Sequence, residues 1–316
     1  MPDTPSTTRG TAGRTGIALG SWPLGMPTDA GFYPRVARQV DRAGFDLLFT
    51  GDHLFAKGPN PEALTLLATL STATEHVVLG TGVLLLPLRD PVLAAKQVAT
   101  IDLLSQGRLL LGVGVGGEFQ WEWDAMGVPI EGRGRRVDEY LELMASLWQP
   151  GPVDHPGPLR PVTGVTGSPQ PWTPGGPPIW IGGRSDAALR RAARHQGWCA
   201  YAVSTRRLGA SIEQITEHRQ GDMDGFRVST VLFTVVGDDE AEARATAGTV
   251  LSDRYSQDFD KFLDAFAAVG TIDRVAERVA EFRAAGVDDV LLCPQVPAQA
   301  FEDQVERLSA LVTPRG

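Results

Sequence analysis

A histidine beside a carboxylate is the first pair in this chain that could transfer protons. Asp52 and His53 follow the apolar run LLFT at 47–50. Histidine exchanges protons near neutral pH, and a neighbouring carboxylate can orient it or tune it. A histidine that only caps a turn is the alternative. Its place at the end of a candidate strand favours a catalytic function, because barrel enzymes carry their chemistry there.

The glycine-rich segment GGRSD at 182–186 has the pattern of an anion-binding turn, because it follows an apolar run and precedes a helical stretch. The helix N-terminus, the Ser185 hydroxyl and the Arg184 charge would all favour a phosphate. A tight turn with Ser185 or Asp186 as helix N-cap explains the local pattern equally well. A hydrolase nucleophile elbow is disfavoured because no histidine follows His218.

Two further glycine runs indicate places where a ligand could approach the backbone closely. The run Gly112–Gly117 resembles a dinucleotide fingerprint, but the bulky residues Glu118 to Trp123 follow it instead of a small-residue helix. Without side chains, this run would let a flat ligand lie directly on the backbone; alternatively, it only forms a turn. Gly80–Val83 lies where a strand should end, which predicts a bulge or a backbone that a ligand ring approaches. Glu118 is either an acid of the site or a surface residue.

The rest of the chain alternates short, almost continuous apolar runs with amphipathic stretches, as parallel strands buried on both faces do. The eight candidate strands are Gly16–Gly20, Asp46–Thr50, Val77–Val83, Leu109–Gly114, Ile179–Gly182, Trp198–Val203, Val228–Val236 and Asp289–Cys293. The candidate helices are Tyr33–Ala43, Pro61–Thr72, Pro91–Leu104, Arg135–Trp148, Asp186–His195, Leu208–His218, Ile272–Ala284 and Gln299–Leu311. A doubly wound sheet would also fit, but eight units without a linker favour a (β/α)8 barrel.

Two segments interrupt this alternation, one after strand four (Val115–Gly134) and one before strand five (Gln149–Pro178). Such long excursions are usually functional or flexible. We expect residues 1–15 to form a disordered tail and residues 16–316 to form a single domain.

Composition excludes several classes of function. The net charge of −9 disfavours nucleic acid and anionic membranes as partners. The two cysteines, Cys199 and Cys293, are far apart and no Cys/His cluster exists, so we expect no metal site and a reducing compartment. No signal peptide or membrane span is recognisable, which predicts a cytoplasmic protein.

Together these motifs resemble the luciferase-like flavin or deazaflavin oxidoreductases, whose fold is a (β/α)8 barrel. The resemblance runs from about Gly16 to the C-terminus. The stretches that carry it are Leu79–Gly117, Gly51–Leu54, Gly132–Trp148, Pro177–Trp198 and Val269–Leu292.

The resemblance implies roles for the residues singled out above. A non-prolyl cis peptide at Gly82–Val83 would support the isoalloxazine ring. Asp52 and His53 would lie near its reactive edge, with His53 as proton donor; Glu118 stands one residue beyond the position where some deazaflavin enzymes have a glutamate donor. The residues expected to bind the cofactor and its phosphate are Gly82, Val83, Gly116, Gly182, Gly183, Arg184 and Ser185.

The cofactor implied is coenzyme F420, since an Asp-His pair after strand two looks like the deazaflavin branch, whereas alkanal-oxidising relatives more often show Glu-His-His. The expected reaction is hydride transfer between F420 and a small apolar or planar organic substrate. The first alternative is an FMN-dependent monooxygenase that uses O2 and a separate reductase. A non-catalytic flavin-binding barrel is the second, and NAD(P)H binding at Gly112–Gly117 is the most distant.

Aromatic residues on the predicted loops would build the substrate pocket. They are Trp22, Phe55, Trp121 and Trp123, with Trp172 as a further candidate. The resemblance also implies a homodimer that forms through the helices Pro61–Thr72 and Pro91–Leu104.

Overall fold

A computed structural model describes residues 13–20, 25–27, 29–55 and 58–314 of the chain. Eight parallel strands pair side by side and close into a barrel in the order β1, β2, β3, β5, β8, β9, β10, β12. The strands, with those outside the ring, are β1 (Arg14–Leu19), β2 (Leu47–Thr50), β3 (Val78–Thr81), β4 (Leu84–Leu85), β5 (Leu109–Gly114), β6 (Pro152–His155), β7 (Val162–Thr166), β8 (Ile179–Gly182), β9 (Gly197–Ala200), β10 (Arg227–Val236), β11 (Ala267–Gly270) and β12 (Asp289–Pro294). The predicted (β/α)8 barrel is therefore confirmed.

Helices surround the barrel. They are α1 (Phe32–Ala43), α2 (Ala63–Ala73), α3 (Pro91–Leu104), α4 (Gln120–Met126), α5 (Arg133–Leu147), α6 (Asp186–Ala192), α7 (Thr205–His218), α8 (Glu240–Tyr255), α9 (Asp260–Phe266), α10 (Ile272–Ala284) and α11 (Phe301–Leu308). In the described part of the chain, none of them has the length and apolar character needed to cross a bilayer.

Side chains alternate along the barrel strands between two buried layers, because successive residues of a strand point to opposite faces. Leu48 on β2 packs outward into the layer between sheet and helices, with Val36 and Val40 of α1. Leu47 and Phe49 point inward and join Trp180 in the barrel interior. Each fully buried side chain of this size contributes about 1.5–3 kcal/mol relative to exposure. A strand with both faces buried has an unbroken run of apolar residues, and for this reason the strands could be recognised in the sequence.

An ion cluster fills the bottom of the barrel, at the N-terminal ends of the strands. The Asp289 carboxylate is fully buried and accepts hydrogen bonds from Arg14 Nε (2.8 Å) and Arg227 Nε (2.7 Å). Burial alone would raise the pKa of Asp289, but the two guanidiniums lower it below its usual value. The cluster ties β1 to β12 and β10. It also corrects the predicted tail, since Arg14 and Thr15 belong to β1; residues 1–12 lie outside the described residues.

Every predicted strand and helix overlaps an observed one, but some elements were not predicted. The excursion after strand four contains α4, and the region after β10 contains α8, α9 and the additional edge strand β11. The excursion before strand five is not structureless, because β6 and β7 pair there as an antiparallel hairpin. The excursions themselves stand where the sequence predicted them, between β5 and α5 and between α5 and β8.

Candidate active site at the barrel mouth

The C-terminal ends of the barrel strands form what we call the barrel mouth. The last strand residues there are Leu19, Thr50, Thr81, Gly114, Gly182, Ala200, Val236 and Pro294. Active sites of barrel enzymes are built at this end. The predicted site residues that the structure describes all follow or end such strands, except Trp172.

The third strand is interrupted at the mouth by a cis peptide bond between Gly82 and Val83, as the resemblance implied. Val83 then projects toward glycines of the two neighbouring strands. A Cβ placed on Gly114 would lie 2.4 Å from Val83 Cγ2, and one placed on Gly182 would lie 2.9 Å from Val83 Cγ1. A Cβ on Gly112 would lie 2.0 Å from the Thr81 carbonyl oxygen. These glycines therefore make room for the Gly82–Val83 bulge, and Gly112 belongs to a barrel strand rather than to a dinucleotide loop.

Asp52, which was expected to orient or tune His53 near the reactive edge, instead anchors Arg89 and the backbone of β4. Its side chain is fully buried and accepts two hydrogen bonds from Arg89, from Nη1 at 2.7 Å and from Nη2 at 2.8 Å. Its Oδ2 also accepts the backbone N–H of Leu85 at 2.7 Å. Burial raises the pKa of Asp52, and the Arg89 guanidinium opposes that rise. With both oxygens engaged, the carboxylate fixes β4, the strand that follows the cis peptide.

His53 lies between two carboxylates at the mouth. Its Nδ1 is 3.1 Å from Glu122 Oε2, and its Nε2 is 3.7 Å from Glu118 Oε2. The His53 side chain is 19% exposed and that of Glu118 is 39% exposed, whereas Glu122 is buried. With Glu122 accepting the Nδ1 hydrogen, the other ring nitrogen faces Glu118 and the open side of the site. The structure thus brings His53 and Glu118 together at the mouth.

Glu122 is a residue of this site that was not predicted from the sequence. Its Oε1 accepts the backbone N–H groups of Leu54 (2.6 Å) and Phe55 (3.1 Å), which fixes the loop that carries His53. Burial acts to raise the pKa of Glu122, but these bonds and the bond to His53 lower it below the usual range, so Glu122 is ionised at neutral pH. A local signal was the place of Glu122 in the first turn of α4, where a carboxylate is favoured; Glu118 precedes that helix.

An aromatic wall adjoins His53. Phe119 lies 5.1 Å from the His53 ring, and Trp121 stacks on Phe119 with ring centroids 4.6 Å apart. The Trp121 indole N–H donates to the Phe55 carbonyl oxygen at 2.5 Å. Trp121 and Phe55 are each about half exposed, so both offer apolar surface at the rim, where a substrate pocket was predicted.

Two predicted pocket residues lie elsewhere. Trp123 is 1% exposed and packs beneath the rim against Leu85 and Leu88, so it supports the site from below and presents no surface to a substrate. Trp172 packs against Gly107, in the turn before β5, because a Cβ on that glycine would lie 2.7 Å from its ring. That turn is at the opposite end of the barrel. Trp22 lies outside the described residues.

The glycine turn after β8 has the backbone geometry of a tight strand-to-helix connection. Gly183 has a φ of +121°, and its carbonyl oxygen accepts the Trp198 indole N–H at 2.7 Å. Ser185 caps α6 by accepting the Ala188 N–H at 3.3 Å, which leaves its hydroxyl hydrogen free to donate. Arg184 is exposed and donates to the Ala202 carbonyl oxygen. The N-cap and the anion-binding interpretation are thus compatible.

Unsatisfied donors lie beside the two glycines that follow β5. Among the described residues, Arg133 Nε and Trp123 Nε1 are buried without a hydrogen-bond partner. A Cβ on Gly117 would lie 3.1 Å from Arg133 Nε, and one on Gly116 would lie 3.3 Å from the Trp123 ring. Both glycines have positive φ, a conformation that glycine adopts more readily than other residues. Without side chains, they leave room beside Arg133 and Trp123. The residues present therefore fit a flat cofactor with an anionic group between β5 and β8.

Sequence relatives include proteins named for flavin-dependent and for F420-dependent reactions. The chain is 30% identical over 219 residues to the oxygenase component of the flavin-dependent trigonelline monooxygenase of Acinetobacter baylyi, a match that covers 66% of this chain and 59% of that protein. It is 26% identical to a Mycobacterium tuberculosis protein that carries the name of a coenzyme F420-dependent oxidoreductase, over 95% of this chain and 99% of that protein.

A solved structure has the same fold. The monooxygenase RslO1 from Streptomyces bottropensis superposes with a TM-score of 0.82 at 24% identity, covering 95% of this chain and 98% of that one. Residues 15–289 match the luciferase-like monooxygenase family. This match includes the interrupted third strand, the His53 loop and the glycine turn after β8. The chain is a member of the luciferase-like monooxygenase family.

Proposed function

We propose that this protein is an oxidoreductase that transfers a hydride between coenzyme F420 and a small planar organic substrate. The observation that carries the proposal is the pairing of His53 with the buried Glu122 carboxylate, which leaves His53 Nε2 at the barrel mouth. When bound, the deazaflavin supplies or accepts the hydride. The chain must supply the matching proton, because reducing a C=O or C=N bond consumes one hydride and one proton.

His53 is placed to hold that proton. Glu122 accepts the Nδ1 hydrogen at 3.1 Å and stabilises the positive charge when Nε2 is also protonated. Glu118, 3.7 Å from Nε2, is exposed enough to exchange protons with solvent and return one to His53. Phe119 covers one side of the His53 ring, and Trp121 stacks behind Phe119. The Gly82–Val83 bulge and the turn at 182–185 are the surfaces proposed for the ring and for the phosphate.

A second candidate is a flavin-dependent monooxygenase that uses reduced FMN, O2 and a separate reductase. The trigonelline monooxygenase relative supports it, because that protein is named as flavin-dependent. The same His53 and Glu122 would then deliver the proton needed for the oxygen atom that leaves as water. The two functions differ in one requirement, since only the second consumes O2.

Turnover in the histidine variants tests the proposal. We expect reduced F420 to be oxidised by members of a panel of enones, imines and ketones, at rates that air does not change. His53→Ala should reduce this rate by about 10²- to 10⁴-fold through the loss of acid–base catalysis. His76→Ala, which changes an exposed histidine before β3, is the matched control and should leave the rate unchanged.

Two results would count against this account. Unchanged turnover in His53→Ala removes the role given to that residue. Product formation that requires reduced FMN and air, with oxygen incorporated into the product, replaces the hydride-transfer function by the second candidate.

A further inference from the structure

The structure assigns Arg254 as an anion-binding residue of the substrate site, so that the substrate of this enzyme is a planar molecule carrying a carboxylate. The inference rests on the proposed function for the reaction itself, and adds the chemical class of the substrate. The carboxylate would bind at Arg254 beneath the rim, while the planar body would lie between the aromatic side chains and the reacting edge of the cofactor.

Arg254 reaches the barrel mouth from the last turn of α8. A Cβ placed on Gly20, the residue after β1, would lie 3.4 Å from Arg254 Nη1 and 3.2 Å from Cys293 Sγ on β12. The end of the guanidinium therefore lies between the C-terminal ends of β1 and β12. This position is inside the mouth, not on the outer surface of the helix.

The guanidinium nitrogen that enters the mouth lacks a partner. Among the residues that the structure describes, Arg254 Nη1 is buried and has no hydrogen-bond acceptor. No carboxylate of these residues lies within ion-pair distance of the Arg254 guanidinium. Two other arginines of the barrel, by contrast, are paired with carboxylates, Arg89 with Asp52 and Arg227 with Asp289. A buried cation without a counter-ion is unfavourable for folding, because its desolvation is not repaid. A ligand that carries the missing negative charge accounts for its presence.

The side chains around Arg254 do not supply that charge. Burial raises the pKa of Tyr201 well above its usual value and also raises the pKa of Tyr255 and of Cys293, so all three are neutral at physiological pH. Glu118 acts electrostatically on Arg254, but its carboxylate contacts His53 Nε2 instead. Arginine stays protonated under any condition that the protein tolerates.

The same neighbours define the shape of the substrate. The Arg254 guanidinium carbon lies 5.4 Å from the Tyr255 ring centroid and 5.9 Å from that of Phe233. Tyr201 meets Phe233 edge to face at 6.0 Å, and its hydroxyl bonds to that of Tyr255. A cation among aromatic rings and phenol hydroxyls suits a carboxylate attached to a flat apolar body.

A cofactor phosphate is the other source of an anion, and the topology argues against it here. The turn at 182–185 and Arg133 stand at β8 and β5, whereas Arg254 stands at β1 and β12. In the ring of eight strands, β8 is four strands from β1, and β5 is four strands from β12. The two cationic positions are therefore on opposite sides of the mouth, one for the cofactor and one for the substrate.

Binding of benzoate and benzamide tests this assignment, because the two probes have the same ring and differ in charge. Calorimetric titration would be carried out on the protein with and without F420 or FMN. We expect wild type to bind benzoate at least about tenfold more tightly than benzamide, which corresponds to about 1.4 kcal/mol. Arg254→Met should abolish this preference while leaving the affinity for the cofactor within about twofold.

Two further variants control for structure. Arg244→Met removes a cation from an exposed position of the same helix, where it pairs with Asp264, and should keep the preference for benzoate. Arg254→Lys keeps the charge without the planar fork and should give an intermediate preference, which settles the question if Arg254→Met does not fold. The melting temperature of Arg254→Met should not fall, because the residue removed is a buried cation that forms no ion pair with the described residues.

Three results would overturn the assignment. They are equal affinity of wild type for the two probes, an unchanged benzoate preference in Arg254→Met or Arg254→Lys, and a loss of cofactor affinity in Arg254→Met with the preference intact. A preference for benzoate that depends on Arg254 in a protein that binds neither cofactor would refute the proposed function and leave the anion site standing.

Discussion

Histidines in this chain show how strongly local surroundings decide what a titratable group can do. His53 lies at the mouth between the carboxylates of Glu122 and Glu118. His195, at the end of the helical stretch after β8, is in the opposite setting. Burial, with the positive charges of Arg194 and Arg191 nearby, lowers the pKa of His195 to about 4. His195 is therefore neutral in the folded protein at neutral pH.

This shift makes folding stability depend on pH in a predictable direction. Because the pKa of His195 is lower in the folded than in the unfolded chain, its contribution is complete above pH 6.5 and is lost as the pH falls toward 4. Between pH 7 and 5 we expect wild type to lose about 1–2 kcal/mol more than His195→Asn in the free energy of unfolding. Urea unfolding at the two pH values measures the difference. His76→Asn, at an exposed position, should behave as wild type; a loss in His195→Asn equal to that of wild type contradicts the assignment.

At the scale of elements, the bulge at Gly82–Val83 depends on close contact between β3 and β5. The Thr81 hydroxyl donates to the Gly112 carbonyl oxygen at 2.6 Å. A Cβ on Gly112 would lie 2.0 Å from the backbone carbonyl oxygen of Thr81. Backbone atoms cannot move aside as a flexible side chain can. Any side chain at Gly112 must push the two strands apart, and the surface proposed for the cofactor ring would move with them.

Gly112→Ala tests that coupling. We expect it to lower the free energy of unfolding by about 1–3 kcal/mol, as overpacking does, and to weaken cofactor binding. Gly209→Ala is the matched control, because nothing lies within 4 Å of the added Cβ on helix α7. It should stabilise the protein by about 0.5–1 kcal/mol through helix propensity. Thermal unfolding measures the stability of both variants, and titration measures their affinity for the cofactor. Equal stability of the two variants would show that β3 and β5 can separate freely.

The barrel could be predicted from the sequence because its strands are buried on both faces and read as continuous apolar runs. Helix α8 could not be recognised in the same way, since its buried face is built partly from small residues such as Ala243, Ala247 and Gly248 rather than a stripe of large ones. A local signal was present, because Asp239 caps the helix by accepting the Glu242 N–H. Missing α8 also meant missing Arg254, which it carries.

The site was predictable in its positions but not in its contacts. His53 and Glu118 follow different strands, and parallel strands bring their C-terminal ends together, so their meeting follows from topology. The direction of a side chain does not follow from topology. Asp52 stands next to His53 in the sequence, yet it turns into the protein toward Arg89, while Glu122 takes the place beside the imidazole.

At the scale of the whole molecule, exposed apolar side chains on α3 support the expected self-association. Leu93 and Leu104 on α3 are 57% and 46% exposed, and α3 is one of the two helices expected to form a dimer interface. Apolar side chains of this size on one helix are typical of an interface core.

Light scattering tests the oligomeric state. We expect wild type to have twice the chain mass of 33.8 kDa, and Leu93→Glu to shift the protein toward the monomer by placing a charge in the interface. Leu159→Glu changes a leucine that is 45% exposed but lies near the β6–β7 hairpin, so its mass should stay that of wild type. A monomeric wild type, or a dimer that Leu93→Glu leaves intact, contradicts an interface through α3.

The barrel mouth as a whole divides into two sides around His53. The bulge at Gly82–Val83 and the turn at 182–185 form the side proposed for the cofactor, and Arg254 marks the side proposed for the substrate. This division has meaning only if a flavin-type cofactor binds here, so cofactor binding is the central claim.

Titration of the purified protein with F420 and with FMN, each oxidised and reduced, tests that claim most directly. Cofactor fluorescence or absorbance reports binding without any knowledge of the substrate. We expect selective binding of F420, weakened by Gly112→Ala and unchanged in Gly209→Ala. Selective binding of reduced FMN would contradict the choice of cofactor and favour the monooxygenase. Binding of neither cofactor by the folded protein would contradict the account of the barrel mouth itself.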